Sequence, residues 1–491
     1  MRWYLRFNLS YGRIYMEKIT GITSFDGVYH QFVIRDHKVV REEVVSKKSN
    51  IDFLLDPQYP VWLVRHAFGQ DMGVEDYSDL KEEDYLSDNR GKNLSLHQKT
   101  GVVRDLAYHG LHVPFHEGTY SHAVGPIHAG IIEPGHFRFV VEGEVIRHLS
   151  IRLGFQYRAI REKILKKQVT EVMPISETIS GDTSVGYALA FSKIYEEMYG
   201  LSVSSDVKLF RSFLVELERI AVHIGDLGGI SEDIGYYPLY GVCVTDRGAA
   251  LGLMETWTGN RFGKAAIRPG RVRTNKRITA KQAKDAFFNL KKVYFKRIRP
   301  QILRALSVST LKERMQGCGF ISESDVEKHG FLGMVARMAG VGDDLRIGNL
   351  EYPGWTPLPL QEEHHHYNGD VWARMYIRYT EIEQSLKWIE SHLDELDWES
   401  LWSEKDFYAN THDWKEWKPK SGIYTAAVEA WRGPVLVSLD FDSDGFVKNS
   451  YIRDPSVLNW HALELAVRGE QVGDFPLNNK SFNLSYVGFD L

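Results

Sequence analysis

Between Ser204 and Gly229 the chain places Val207, Phe210, Phe213, Leu214, Leu217, Ile220, Ala221 and Ile224 at intervals of three and four residues. Side chains so spaced share one face of an α-helix, so the pattern predicts a long helix with a broad apolar stripe. Ser204 or Ser205 supplies the N-terminal cap, and Gly228-Gly229 marks the end. Such a stripe has to be covered by other elements. Residues 279–306 and 371–396 carry the same periodicity, the latter through Met375, Ile382, Leu386, Ile389 and Leu393, and a shorter helix is expected over 249–258. Mutual burial of these faces calls for a helical bundle.

Strand patterns lie on both sides of the bundle. Apolar and polar residues alternate in short runs over residues 1–105, as in 29–35 and 60–64, and the charged run 76–93 reads as a surface linker. Residues 137–141 and 145–149 flank Glu142-Gly143-Glu144 and predict a hairpin. Residues 434–439 and 446–448 flank a turn at Asp442–Gly445 in the same way. The expected fold class is α+β: a small α+β domain over 1–105, then a helical bundle flanked by β segments over 106–491.

Composition removes several function classes. With 43% hydrophobic residues, 25% charged residues and a net charge of -5, the chain is an ordinary globular one with no basic surface to favour nucleic acid. No apolar run is long enough to cross a bilayer, and the N-terminus lacks the core of a signal peptide. A cytoplasmic location follows, with any membrane contact made through a partner. Cys243 and Cys318 provide no disulfide framework and read as small buried hydrophobes. No Gly-rich phosphate loop follows a strand.

Six histidines, His109, His112, His116, His122, His128 and His136, stand with Glu117 and Glu133 in one stretch. Imidazole and carboxylate suit a divalent transition metal. No pair sits in the helical His-x-x-x-His arrangement with a glutamate, and Pro and Gly interrupt the run, so scattered structural histidines are the stronger reading and a His-rich metal-binding protein the lesser alternative. His364-His365-His366, after Glu362-Glu363, reads as a solvated loop.

The stretch VGPIHAGIIEPGHFRFVVEGEVI, from Val124 to Ile146, resembles the large subunit of membrane-bound energy-converting nickel–iron hydrogenases and, more distantly, the quinone-site subunit of respiratory complex I. The resemblance continues through LVELERIAVHIGDLGG, TDRGAALGLMETWTGNRFGKAAIRPGRVR, GDVWARMYIRYTEIEQSLKWI and the final DFPLNNKSFNLSYVGFDL, so it covers about residues 110–491. It implies the hydrogenase-large-subunit fold, and residues 1–105 resemble a degenerate form of complex I's small partner subunit.

In that family two Cys-x-x-Cys pairs hold nickel and iron. The resemblance places Ser180 and Thr183 at the first pair, and Ser485 and Gly488 at the second. Hydroxyls are hard donors that stay protonated, and glycine offers no ligand, so nickel–iron chemistry is not expected and no metal is assigned. The family's proton-passing glutamate aligns with Arg161 or Glu162. The resemblance to complex I implies a quinone-binding histidine at His136 or His128 and puts Glu177 where the partnering tyrosine stands, with Asp182, Tyr187 or Tyr486 able to substitute. Arg158 is expected beside the Fe–S cluster of a partner subunit.

The expected site therefore comprises His136, Glu177 and Asp182 as proton-handling groups, with His128, Ser180, Thr183, Ser485, Tyr486 and Arg158 lining the pocket. The C-terminal 481–490 segment closes it as a strand and turn. By resemblance the chain binds no cofactor of its own. It works with an Fe–S small subunit and membrane ion-translocating subunits at the inner face of the cell membrane, passing electrons to quinone or another small acceptor. The rival class is a non-catalytic docking subunit.

Overall fold

A computed structural model of the chain describes residues 18–25, 28–43, 85–87, 93–95, 118–128, 132–275, 277–360, 367–403 and 417–491. Two compact units are present: Met1–His112 with Glu327–Gly330, and Val113–Val326 with Phe331–Leu491.

The first unit contains an antiparallel sheet of Lys18–Phe25, Val28–Arg35 and Lys38–Glu43. Asp36 and His37, both at positive φ, form the two-residue turn between the last two strands. Short paired strands, Tyr85–Ser87 and Asn93–Ser95, interrupt the run expected to be a linker. The rest of that run and residues 60–64 lie outside the described residues.

In the second unit the central helix is Ser205–Asp233, with Ser204 Oγ accepting the Val207 amide at 3.3 Å as its cap. It passes through Gly228-Gly229 and ends four residues later, because tertiary contacts on a buried helix outweigh the local cost of two glycines. It packs against Ser184–Tyr199, Tyr237–Thr258 and Val371–His392. The helix expected at 249–258 begins twelve residues earlier, with Pro238 in its first turn. The 279–306 pattern is capped by Thr279 and consists of Ala280–Val293, a π-helical turn Tyr294–Ile298, and Arg299–Ser307.

Two three-stranded antiparallel sheets flank this bundle. Thr119–Val124, His136–Glu142 and Val145–Arg152 form one, which includes the expected hairpin. Gly422–Ala430, Gly433–Phe441 and Val447–Arg453 form the other. Every residue of Gly433–Phe441 is buried, Ser438 and Asp440 included, so both faces of the strand are covered. The final segment departs from expectation: Phe475–Phe482 is a short helix with Asn483 at φ 48 ending it, and no strand follows. Pro476 in the first turn and a left-handed Asn as C-terminal stop explain why.

Candidate functional site

Ser180 and Thr183 sit on the turn before helix Ser184–Tyr199, and Ser485 lies just beyond the final helix. Ser180 Oγ and Ser485 Oγ are 3.4 Å apart, across 305 residues of sequence. Gly488 N donates to Ser485 Oγ at 2.9 Å, so Ser180, Thr183, Ser485 and Gly488 belong to one neighbourhood or its edge.

An ion pair occupies this place. Asp182 takes two hydrogen bonds from Arg432, at 2.9 and 2.7 Å, and further ones from Ser180 Oγ (2.7 Å) and Thr183 Oγ1 (3.0 Å). Burial alone would raise its carboxyl, but Arg432 and the two hydroxyls outweigh that and hold it below the usual range. Arg432 also donates to Asn483 O at 2.6 Å and stacks 3.9 Å over Trp431, whose indole N–H reaches Thr183 Oγ1 at 3.1 Å.

Trp431 and Arg432 form the two-residue turn between strands Gly422–Ala430 and Gly433–Phe441. That turn is seated by a glycine pair: a Cβ on Gly333 would lie 2.2 Å from Gly433 Cα.

The donor set does not fit a nickel–iron centre. The neighbourhood offers three hydroxyls and a glycine in place of any thiolate, the hydroxyls are spent on Asp182 and on each other, and a guanidinium stands among them. A side chain at Gly488 has no room, since its Cβ would meet Asp454 Oδ2 at 2.6 Å and Ser485 Oγ at 2.8 Å. Asp454 is itself fixed by Tyr187 O–H (2.7 Å) and Ser456 N (2.8 Å).

The remaining expected residues divide. His128 Nε2 lies 2.7 Å from Gly135 O, and His136 Nδ1 lies 3.0 Å from Gly125 O, so main-chain oxygens hold both rings on the loop before the hairpin. That loop meets Tyr486 at Gly135, and Tyr486 packs on Trp460 at 4.8 Å with its phenol pushed up to about 12 by burial. Arg158 clamps the turn leading to Ser180 by donating to Thr178 O and Ile179 O, both at 2.7 Å. Glu177 points elsewhere: it accepts from Ala265 N (2.9 Å) and Arg268 Nη1 (2.5 Å), a structural ion pair. Arg161 donates to Ser450 O, and Glu162 accepts the Tyr157 hydroxyl near the surface, so neither joins the cluster.

Of the histidine run, His109, His112, His116 and Glu117 lie outside the described residues, as do His364, His365 and His366. Among the described residues His122, His128, His136 and Glu133 form no ligand group; Cys318, Glu470 and Asp474 do come within 4.8 Å of one another. Glu470 already takes Gly319 N and Asp474 takes Arg314, while burial pushes the Cys318 thiol up to about 11.

Three carboxyls that spacing did not single out for proton work adjoin the cluster. Burial raises Glu133 against the opposing pull of Arg432. Asp490 accepts Gly154 N (2.6 Å) and Gln156 N (2.8 Å), yet burial pushes it up to about 6. Glu218 accepts Val185 N (2.8 Å) and Gly186 N (3.2 Å) at the start of a helix, and burial pushes it up to about 8. Glu133 sat in the histidine run, whereas Arg432, Asp454 and Glu218 carried no signal, because each acquires its role from residues 33 to 267 positions away.

A family model described as the respiratory-chain NADH dehydrogenase, 49 Kd subunit, matches residues 233–490. The chain is 28% identical to the membrane-bound hydrogenase subunit alpha of Pyrococcus furiosus over 55% of its own length and 64% of that protein's, so it spans just under two thirds of that relative. It is 28% identical to an NADH-quinone oxidoreductase subunit of Carboxydothermus hydrogenoformans, covering 72% of this chain and 93% of that one. A chain from the solved structure of the membrane-bound sulfane sulfur reductase, an archaeal respiratory membrane complex, superposes with a TM-score of 0.67 at 22% identity, covering 77% of this chain and all of that one.

Proposed function

This chain belongs to the family of the respiratory-chain NADH dehydrogenase 49 Kd subunit, and from that premise we propose that it is a peripheral subunit of a membrane respiratory complex that passes electrons from a partner Fe–S subunit to quinone or another small acceptor, without a nickel–iron centre. Its place is the cytoplasmic face of the membrane. Among the described residues no helix is long and apolar enough to cross a bilayer, so attachment falls to partner subunits.

The observation that carries this reading is the Asp182–Arg432 pair lying among Ser180, Thr183 and Ser485. The site keeps the family's convergence of two distant segments and offers only hard oxygen donors. Reduction of a carbonyl acceptor by two electrons also consumes two protons. Asp490, with its proton retained up to about pH 6, and the raised Glu133 are carboxyls poised for that supply near neutral pH. Tyr486 and His136, adjoining through Gly135, form the wall against which the acceptor lies. Asp182, locked as an anion, orients its neighbours and releases no proton.

The test is purification of the native assembly, metal analysis, and quinone reduction by Asp490→Asn, Glu133→Gln and His136→Ala variants, with Glu162→Gln as a surface control. Nickel below stoichiometry and a loss of about tenfold or more in turnover for Asp490→Asn are expected, in line with the contribution of a positioned acid. Stoichiometric nickel rejects the reading. The closed hydrogen bonding of Ser180, Asp182, Thr183 and Arg432 favours one rival, a docking subunit with no redox step of its own; unchanged turnover in all three variants selects it.

A further inference from the structure

A cavity of ≈ 160 Å³ opens beside the Gly181-Asp182 turn, between the central helix Ser205–Asp233 and its neighbour Tyr237–Thr258. Its apolar walls are Leu217, Ala221, Leu251, Met254 and Phe262. The size is that of a benzene-shaped guest, since a dry cavity of about 150 Å³ holds benzene in other proteins.

Four charged residues also border it: Asp182, Glu218, Arg247 and Arg261. The Asp182 charge is already matched by Arg432. Glu218 makes no salt bridge among the described residues, and burial raises its carboxyl to about 8, which favours the protonated form near neutral pH. Arg247 packs across Gly225, donates Nε to Ala221 O at 2.9 Å, and lines the cavity. Arg261 is exposed at the rim. No carboxylate is paired with either arginine among the described residues. The uncompensated sign at this pocket is therefore positive, beside an apolar floor.

We propose that this cavity binds a small amphiphilic anion, a carboxylate on an apolar body about the size of a benzene ring, with the headgroup on Arg247 and Arg261 and the body against Leu251, Met254 and Phe262. Glu218 and Asp182 set the far wall and add no net repulsion. The assignment shares the Asp182 turn with the electron-transfer reading but uses neither Asp490 nor the hairpin loop, so benzoate binding and quinone turnover can fail separately.

Benzoate, benzyl alcohol and benzylamine, titrated into the purified full chain and followed by ligand-observed NMR, test it. Saturable benzoate binding is expected, with benzylamine showing none and benzyl alcohol binding more weakly. Arg261→Gln weakens benzoate about threefold, the range of an exposed ion pair. Leu251→Trp fills the cavity and abolishes binding at an unchanged unfolding temperature; should it lower that temperature, Phe262→Ala, at a half-exposed position, takes its place and weakens binding instead. Absence of saturable benzoate binding, equal binding of benzylamine, or full affinity in the cavity variant whose unfolding is unchanged overturns the proposal.

Discussion

Glu216 and Glu218 stand two residues apart on one helix, both buried, and their surroundings treat them in opposite ways. Burial alone would raise Glu216, but Arg219 and Arg346 overcome it and hold the carboxyl below its usual range, with Ser385 Oγ donating at 2.6 Å. Glu216 belongs to a web continued by Arg346 with Asp344, by Arg219 with Glu381, and by Arg337 with Glu381 and Glu429, all at 6% side-chain exposure or less. Glu218 takes its hydrogen bonds from backbone amides alone and borders the cavity without a salt bridge among the described residues, and burial pushes its carboxyl up to about 8. The web closes its charges on one another. Near Asp182, the carboxyls of Glu133, Glu218 and Asp490 make no salt bridge among the described residues and burial raises each of them, the reverse of the paired Glu216 in the web.

The comparison is broken most directly by cutting the web. Glu381 takes Arg337, Arg219 and His223, so Glu381→Ala leaves buried cations unpaired and is expected to cost about 3–5 kcal/mol in denaturant unfolding. A loss below about 1 kcal/mol, within the usual effect of a surface pair, would deny that the web is a structural unit.

The pH dependence sharpens it, because the signs oppose. Glu218 is raised in the folded state, so its stabilising protonation is fully present below the unfolded value and is lost as pH rises toward about 8. Glu218→Gln should therefore flatten the fall in stability between pH 5 and 8 by on the order of 2 kcal/mol. Asp344 is lowered to about 2 by Arg346 and Arg337 acting against burial, so its contribution is present above the unfolded value and is lost as pH falls toward 2. An unchanged slope in Glu218→Gln would mean that the carboxyl is ionised at neutral pH.

Smaller effects follow. Arg432→Met strands a partly screened Asp182 and should cost about 1–3 kcal/mol, read as a lower unfolding midpoint. Ser204→Ala removes the cap of the central helix, for about 1 kcal/mol. Lys284→Ala, at a pair whose Asp394 is 89% exposed, should shift the midpoint by less than about 0.5 kcal/mol. A larger loss there than in Arg432→Met would reverse the ranking of buried over exposed charge.

The bundle was legible from periodicity because apolar stripes three and four residues apart can only be buried by other helices, and the central helix and its Ser204 cap follow that pattern. Both hairpins were legible from turn residues between apolar runs. The limits fell where local rules yield to packing: at Gly228-Gly229, which the helix traverses, and at 481–490, where a helix end and turns stand instead of the expected strand and turn. Resemblance assigns Glu177 a proton-handling place, and what no local pattern announces is its pairing with Arg268, 91 residues away.

The residues alone fix that positions 180, 183, 485 and 488 carry no thiolate, since a side chain's donor atom is a property of the residue itself. Only the tertiary structure decided what stands there instead. The guanidinium of Arg432 meets Asp182 across 250 residues, and Glu218 keeps its proton because of what surrounds it. Pairing and desolvation depend on distance and on the exclusion of water, and neither is written in any local pattern.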